Sequence, residues 1–193
     1  MPNENIATSK VVPIRIGERL RDQVEDLIAR YSARLRSDPQ IPVAKTLSAP
    51  LIEDHAMSFL SDVFQSLVIL ENAASLKGRE ESNLLSDGTT IQRLISELHG
   101  RQRHRVGWTE TALKREYEIL NEEAEKFVRR HAADESRTGG LDWTLGVVNR
   151  LLRHAEDASF AAFTVAAGAA ESRKGEAGNG QRAGEARSGK REA

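Results

Sequence analysis

Apolar residues recur at alternating three- and four-residue steps in five successive stretches of this chain, and that rhythm admits essentially one class of fold. A strand would need apolar and polar residues to alternate with a period of two, and no stretch offers a convincing run of that kind. The expectation is an all-α fold, either a helical bundle or a globin-like packing of about five amphipathic helices.

The first pattern runs from about Ile16 to Arg36 and aligns Ile16, Leu20, Val24, Leu27, Ile28, Tyr31 and Leu35; Pro39 and Pro42 then interrupt it. The second starts near Ser48, a suitable N-cap, with Pro50 tolerated in the first turn. It carries Ile52, Phe59, Leu60, Val63, Leu67 and Leu70, and exits around Gly78. The third follows Asp87-Gly88-Thr89, turns Ile91, Leu94, Ile95 and Leu98 to the core, and ends in a basic run from His99 to Arg105 before Gly107. Thr109 caps the fourth, flanked by Trp108 and Leu113 at the spacing of a hydrophobic staple. That helix uses Leu113, Tyr117, Leu120, Ala124 and Phe127. After the Gly139-Gly140 turn, the last helix spans about Asp142 to Gly168 with Leu145, Val148, Leu152, Ala155, Ala162 and Phe163 inward. The alanines around Phe160 and Phe163 suit close approach of another helix.

These patterns imply a flexible leader over 1–13, one helical domain over 14–170 and a polar tail over 171–193. The tail holds no large apolar residue and is expected to be disordered. The chain has 193 residues and a formal net charge of −1, without the basic excess that proteins wrapping nucleic acid show. It has no cysteine, which excludes disulfides, thiolate metal sites and cysteine nucleophiles. No apolar run approaches a signal peptide or a membrane span, so a cytoplasmic protein without nucleic-acid or membrane partners is expected.

Chemistry-bearing patterns are sparse. HExxH, GxSxG, a Walker loop and paired Glu-x-x-His motifs are all absent, and Asp54-His55 are adjacent rather than one helical turn apart. No enzyme, metal or cofactor is expected. Haem ligation by His99 is the sharpest cofactor hypothesis, set against a hydrogen bond from His99 tying two helices together and close packing at Gly100. His99 and Arg103 fall four apart on one helix face, and Glu116 lies just beyond the Gly107 turn. A buried Arg103–Glu116 ion pair is therefore expected to set the angle between the third and fourth helices. Glu122, Glu123 and Glu125 are expected to form a solvated face with Lys126 and Arg129.

Three segments in order, LIEDHAMSFLSDVFQSL from Leu51, ELHGRQRHRVGWTETALKREYEIL from Glu97 and VNRLLRHAEDASFAAF from Val148, resemble the N-terminal sensor domain of the RsbR/RsbRD stress-signalling family. The matching positions are Asp54-His55, His99-Gly100, Arg103, Gly107-Trp108, Glu116-Tyr117 and Leu120, and more loosely Asn149, Arg150 and Asp157. The resemblance implies a globin-like sensor fold that need not bind haem and is commonly dimeric. It also implies coupling to a STAS domain or a histidine kinase. No such output domain follows in this sequence, so signalling would pass through another chain: a kinase, a phosphatase or a STAS-domain protein. The expected function is a non-catalytic regulatory module acting as a homodimer through its first helix, its last helix or both. The rival readings are a haem- or small-ligand-binding globin-like protein and a DNA-binding regulator. The near-neutral charge and the lack of a helix-turn-helix pattern argue against the last.

Overall fold

The computed structural model describes residues 16–53, 55–73, 79–132 and 140–188, with the side chains of 73, 79–89 and 174–188 outside the description. The expected leader, Asp54, Gly78 and Gly139 lie outside the described residues. All regular elements among those residues are helical: α1 (Ile16–Asp22), α2 (Val24–Ser37), a 3-10 turn (Pro42–Lys45), α3 (Ala49–Glu53), α4 (Ala56–Ala73), α5 (Arg79–Arg105), α6 (Glu110–His131) and α7 (Gly140–Ser188). The fold is all-α, as the periodicity requires.

Five sequence patterns become seven helices because two of them are divided. The first breaks at Gln23, whose φ of −121° and ψ of 17° leave the helical range. The N–H of Gln23 instead reaches the Leu20 carbonyl at 3.3 Å. All seven apolar residues read from that pattern are buried on both sides of the break. The second pattern is divided into α3 and α4.

The core is one continuous cluster drawn from α1 to α4, α6 and α7. α1 packs on α4, α6 packs against both α2 and α7, and α5 runs along α7. The α5–α7 approach depends on Gly100, where an added Cβ would lie 2.1 Å from the Ser159 carbonyl oxygen. Backbone that close leaves no room for a side chain.

The turn from α5 to α6 follows the sequence closely. Gly107 takes a φ of 88°, the left-handed conformation that favours glycine. Its N–H reaches the His104 carbonyl at 3.1 Å, and the Trp108 N–H reaches that of Arg103 at 3.0 Å. These two bonds satisfy carbonyls at the end of α5 that have no partner within the helix. Thr109 then caps α6, its hydroxyl accepting from the Ala112 N–H at 3.1 Å.

Three expectations are corrected. α5 begins at Arg79, so Asp87-Gly88-Thr89 lies inside the helix rather than before it. One internal glycine costs a helix about 1 kcal/mol, which a helix this long absorbs. α5 is also rotated: Ile91, Leu94 and Leu98 face outward, while Gln92, Ser96, His99 and Arg103 face inward. Finally, α7 runs on to Ser188, past the end expected near Gly168. Glu171, Ser172 and Arg173 are exposed there, as a stretch without large apolar residues would be. No helix among the described residues is long and apolar enough to cross a membrane.

Candidate functional site

The inward face of α5 builds a polar node in the middle of an apolar core. Arg103 and Glu116 are both essentially inaccessible to solvent. Arg103 Nε donates to the two Glu116 oxygens at 3.1 and 3.0 Å, and Nη2 donates to Oε1 at 2.7 Å. The remaining guanidinium protons go to the Leu51 carbonyl at 2.6 Å, the Ile52 carbonyl at 2.6 Å and Gln102 Oε1 at 2.9 Å. Arginine has five N–H donors in a rigid fork, and here each has an acceptor. The two carbonyls belong to the last turn of α3, where helical geometry leaves them without internal partners. The guanidinium also lies 4.6 Å from the centre of the Trp108 ring, a cation–π stack.

Glu116 is equally engaged. Besides Arg103 it accepts the Tyr31 hydroxyl from α2, and its Oε2 lies 3.3 Å from His99 Nε2. Burial pushes the carboxyl pKa up, but the charges of Arg103 and His99 and their hydrogen bonds outweigh it, and the net value falls to about 2. Burial and the neighbouring Glu116 charge hold the Tyr31 phenol well above its ordinary range. The node therefore contains a fixed carboxylate and a fixed phenol, each already partnered. That makes Glu116 a poor proton acceptor and a good tie between α2, α3, α5 and α6.

A second node lies alongside. The Tyr117 hydroxyl is 2.6 Å from Ser159 Oγ and 3.2 Å from the Ala155 carbonyl, and Ser159 Oγ donates to the Ser96 carbonyl at 2.7 Å. The Tyr117 ring meets His99 edge-on at 6.1 Å. This links α5, α6 and α7 and raises the Tyr117 pKa, chiefly through burial. Six candidate residues, His99, Gly100, Arg103, Trp108, Glu116 and Tyr117, thus converge on the region where α5 meets α6 and α7. The expected Arg103–Glu116 pair forms, and His99 reaches from α5 to α6 as a helix tie. His55, at the turn before α4, lines a small cavity with His99, Tyr31, Glu116 and Tyr117. That cavity is about 20 Å³, room for roughly one water. A macrocycle does not fit there, and His99 Nε2 already faces Glu116, so axial haem ligation by His99 does not suit this geometry.

Sequence reading missed the role of Tyr31, counted only as an apolar core residue. A buried phenol needs a hydrogen-bond partner, and that requirement was the available signal. It also misplaced Glu123, which is buried rather than solvated, with Arg34 of α2 at 2.9 Å and Lys126 at 2.9 Å. Ser96 and Ser159 carried no pattern that singled them out.

With its inward side polar, α5 turns its aliphatic side to solvent. Ile91, Leu94 and Leu98 are 53%, 50% and 48% exposed. They recur at the spacing of a coiled-coil seam, opposite the buried row of Gln92, Ser96, His99 and Arg103. Leu51 is also exposed, and its carbonyl accepts from Gln102 Nε2 at 3.2 Å, one helical turn beyond Leu98. α1 and α2 spend their large apolar side chains on the core, and α7 exposes only Trp143 and Val165 among its described large hydrophobics. Among the described residues, the outward apolar row lies on α5. Between α5 and α7 runs a groove of about 850 Å³, floored by Phe59, Leu151, Ala155 and Ala162 and edged by Arg93, Arg101 and His154.

Comparison of the chain with protein-family models, curated proteins and solved structures returns no match. Resemblance to the RsbR/RsbRD sensor domain rests on the residues quoted from the sequence.

Proposed function

We propose that this protein is a non-catalytic regulatory module of the bacterial cytoplasm that works as a homodimer and signals through contact with another protein. The observation that carries this reading is the reversed polarity of α5, which buries a satisfied polar row and presents Ile91, Leu94 and Leu98 to solvent. Contiguous apolar side chains on a helix face mark surfaces that other proteins cover. The two polar nodes support the same reading: together they hold α2, α3, α5, α6 and α7 in one arrangement, which fixes the helix that carries the stripe. The kind of partner follows from the resemblance alone: a kinase, a phosphatase or a STAS-domain protein.

The test is the molar mass of the purified chain by light scattering over a concentration series. A mass of two chains supports the reading, and a single-chain mass at every concentration rejects it. Affinity capture with the same chain then asks whether a kinase, phosphatase or STAS-domain protein is the output.

The groove between α5 and α7 favours a second reading, a small-ligand binder. Its volume of about 850 Å³ lies within the range of ligand pockets. His154 is the histidine on its edge. Titration with hemin tests the haem form: a Soret band lost in a His154→Ala variant favours it, and an unchanged hemin spectrum rejects it.

A further inference from the structure

We infer that the outward face of α5 docks an amphipathic helix of another protein, one that is acidic in its first turns, aliphatic thereafter, and antiparallel to α5. This rests on the reading of that face as a protein-contact surface and names what the partner must carry.

The outward row does not stop at Leu98. Ile91, Leu94, Leu98, Arg101 and Arg105 follow one another at steps of three, four, three and four residues. One face of the helix therefore carries three aliphatic side chains and then two guanidiniums. All five residues are exposed. A helix packed on such a seam must set hydrocarbon against hydrocarbon and a charge against its opposite. The partner thus needs aliphatic side chains opposite Ile91, Leu94 and Leu98, and carboxylates opposite Arg101 and Arg105. Leu51, exposed beside Gln102, widens the apolar part.

The two arginines are available for this contact. Arginine near a helix C-terminus commonly bonds the last carbonyls of its own helix. Here backbone N–H groups take those carbonyls: Val106 reaches Gln102 at 3.0 Å, Trp108 reaches Arg103 at 3.0 Å and Gly107 reaches His104 at 3.1 Å. Arg101 shares the Glu97 carboxylate with Arg93, at 3.1 and 3.3 Å. Arg105 has no ion pair among the described residues. The exposed, basic end of the seam is therefore not neutralised by α5 itself.

Direction follows from the helix dipole. Carboxylates stabilise the first turn of the helix that carries them. An acidic first turn set on Arg101 and Arg105 runs its helix back along α5 toward Ile91, with the two dipoles opposed. The two polar nodes hold α5 from its other face, so the seam is in place before the partner arrives, which lowers the ordering cost of binding.

An anionic membrane surface is the rival occupant. A helix lying on a bilayer carries its cations on the polar face, flanking an apolar face anchored by Trp, Phe or Leu. In α5 two arginines stand in line with the aliphatic row, Glu97 is among the flanking charges, and the helix contains no Phe, Trp or Tyr. These features favour a protein.

The test uses the full chain and three fluorescein-labelled peptides of about 21 residues, three heptads each. The first has glutamate at its two leading seam positions and leucine at the three that follow. The second replaces both glutamates with lysine. The third keeps the composition of the first but places the leucines before the glutamates. Fluorescence anisotropy is expected to show the first bound about tenfold or more tighter than the other two. That gap should close as salt rises from about 0.05 M to about 0.5 M, because screening shortens the reach of the arginines. The Arg101→Gln/Arg105→Gln double variant should lose the preference for the first peptide over the second. Leu94→Ser should weaken all three by about tenfold or more, since a leucine no longer goes under the partner. Both variants should melt within about 2 °C of the wild type, because the changed side chains are exposed.

Equal binding of the first and second peptides, or binding of neither, overturns the inference, and equal binding of the first and third overturns its direction. Sedimentation with phosphatidylserine–phosphatidylcholine vesicles that Leu94→Ser abolishes, with no peptide bound, assigns the face to a membrane instead. A chain that is dimeric by light scattering yet binds no peptide overturns this inference and leaves the homodimer reading standing. A monomeric chain that binds the first peptide supports this inference and removes the homodimer.

Discussion

Arg103→Ala is the sharpest perturbation of the buried node. The change removes the only cation hydrogen-bonded to Glu116 among the described residues apart from a protonated His99, and leaves the Leu51 and Ile52 carbonyls without that donor. Breaking a buried ion pair by deleting one partner costs about 3–5 kcal/mol, because the remaining charge stays desolvated. For a chain of this length each kcal/mol moves the melting temperature by about 2–4 °C, so a drop of about 6–20 °C is expected. The assay is thermal or urea unfolding followed by far-ultraviolet circular dichroism, with Arg93→Ala as control. Arg93 is an exposed partner of Glu97, and such pairs contribute at most about 1 kcal/mol. The Arg103→Ala/Glu116→Ala double variant should lose less than the two single losses combined, since it removes both charges together. An Arg103→Ala loss no larger than the control would refute the structural role of the node, and strict additivity in the double variant would refute the pairing.

Other expectations follow from the same geometry. The Glu116 pKa in the folded chain, about 2, lies below its ordinary value of 4.5, so its contribution is fully present above about pH 4.5 and is lost as pH falls toward 2. That contribution is about 3 kcal/mol, and Glu116→Gln should be less stable at neutral pH and show a flatter loss of stability on acidification, read by urea unfolding at several pH values. Gly100→Ala should destabilise by about 1–3 kcal/mol or more, since its Cβ would meet the Ser159 backbone. Gly146→Ala, where nothing lies within 4 Å, should raise stability by about 0.5–1 kcal/mol. Thermal melts of the two glycine variants moving in the same direction would contradict the close α5–α7 approach.

Much of the fold was legible because most helices solve their burial problem with hydrocarbon. Every apolar residue read for the first, fourth and last helical patterns is buried, from Ile16 and Leu20 to Leu152 and Phe163. The turn at Gly107 and the cap at Thr109 were legible too, since each depends on the conformational freedom or the side-chain oxygen of a single residue. α5 was not. Its inward residues, Gln92, Ser96, His99 and Arg103, follow the same three-and-four rhythm as an apolar stripe, but periodicity assigns the core to hydrocarbon. What reverses the helix is a set of hydrogen bonds to partners on α3, α4, α6 and α7, and those are visible only in three dimensions. Spacing alone brought Arg103 and Glu116 together, because they flank one short turn. Tyr31 is 85 residues from Glu116, and no local pattern joins them.

The grip of Arg103 on α3 also has a consequence in time. α3 has five residues, too few to hold helical structure alone in water. Two of its last carbonyls are bound by a guanidinium 52 and 51 positions further along the chain. The end of this short helix is therefore held by a contact that exists only while α5 is docked. In an Arg103→Ala chain, amide hydrogen exchange around α3 is expected to rise more than exchange in α2, because local opening there no longer has to break that contact.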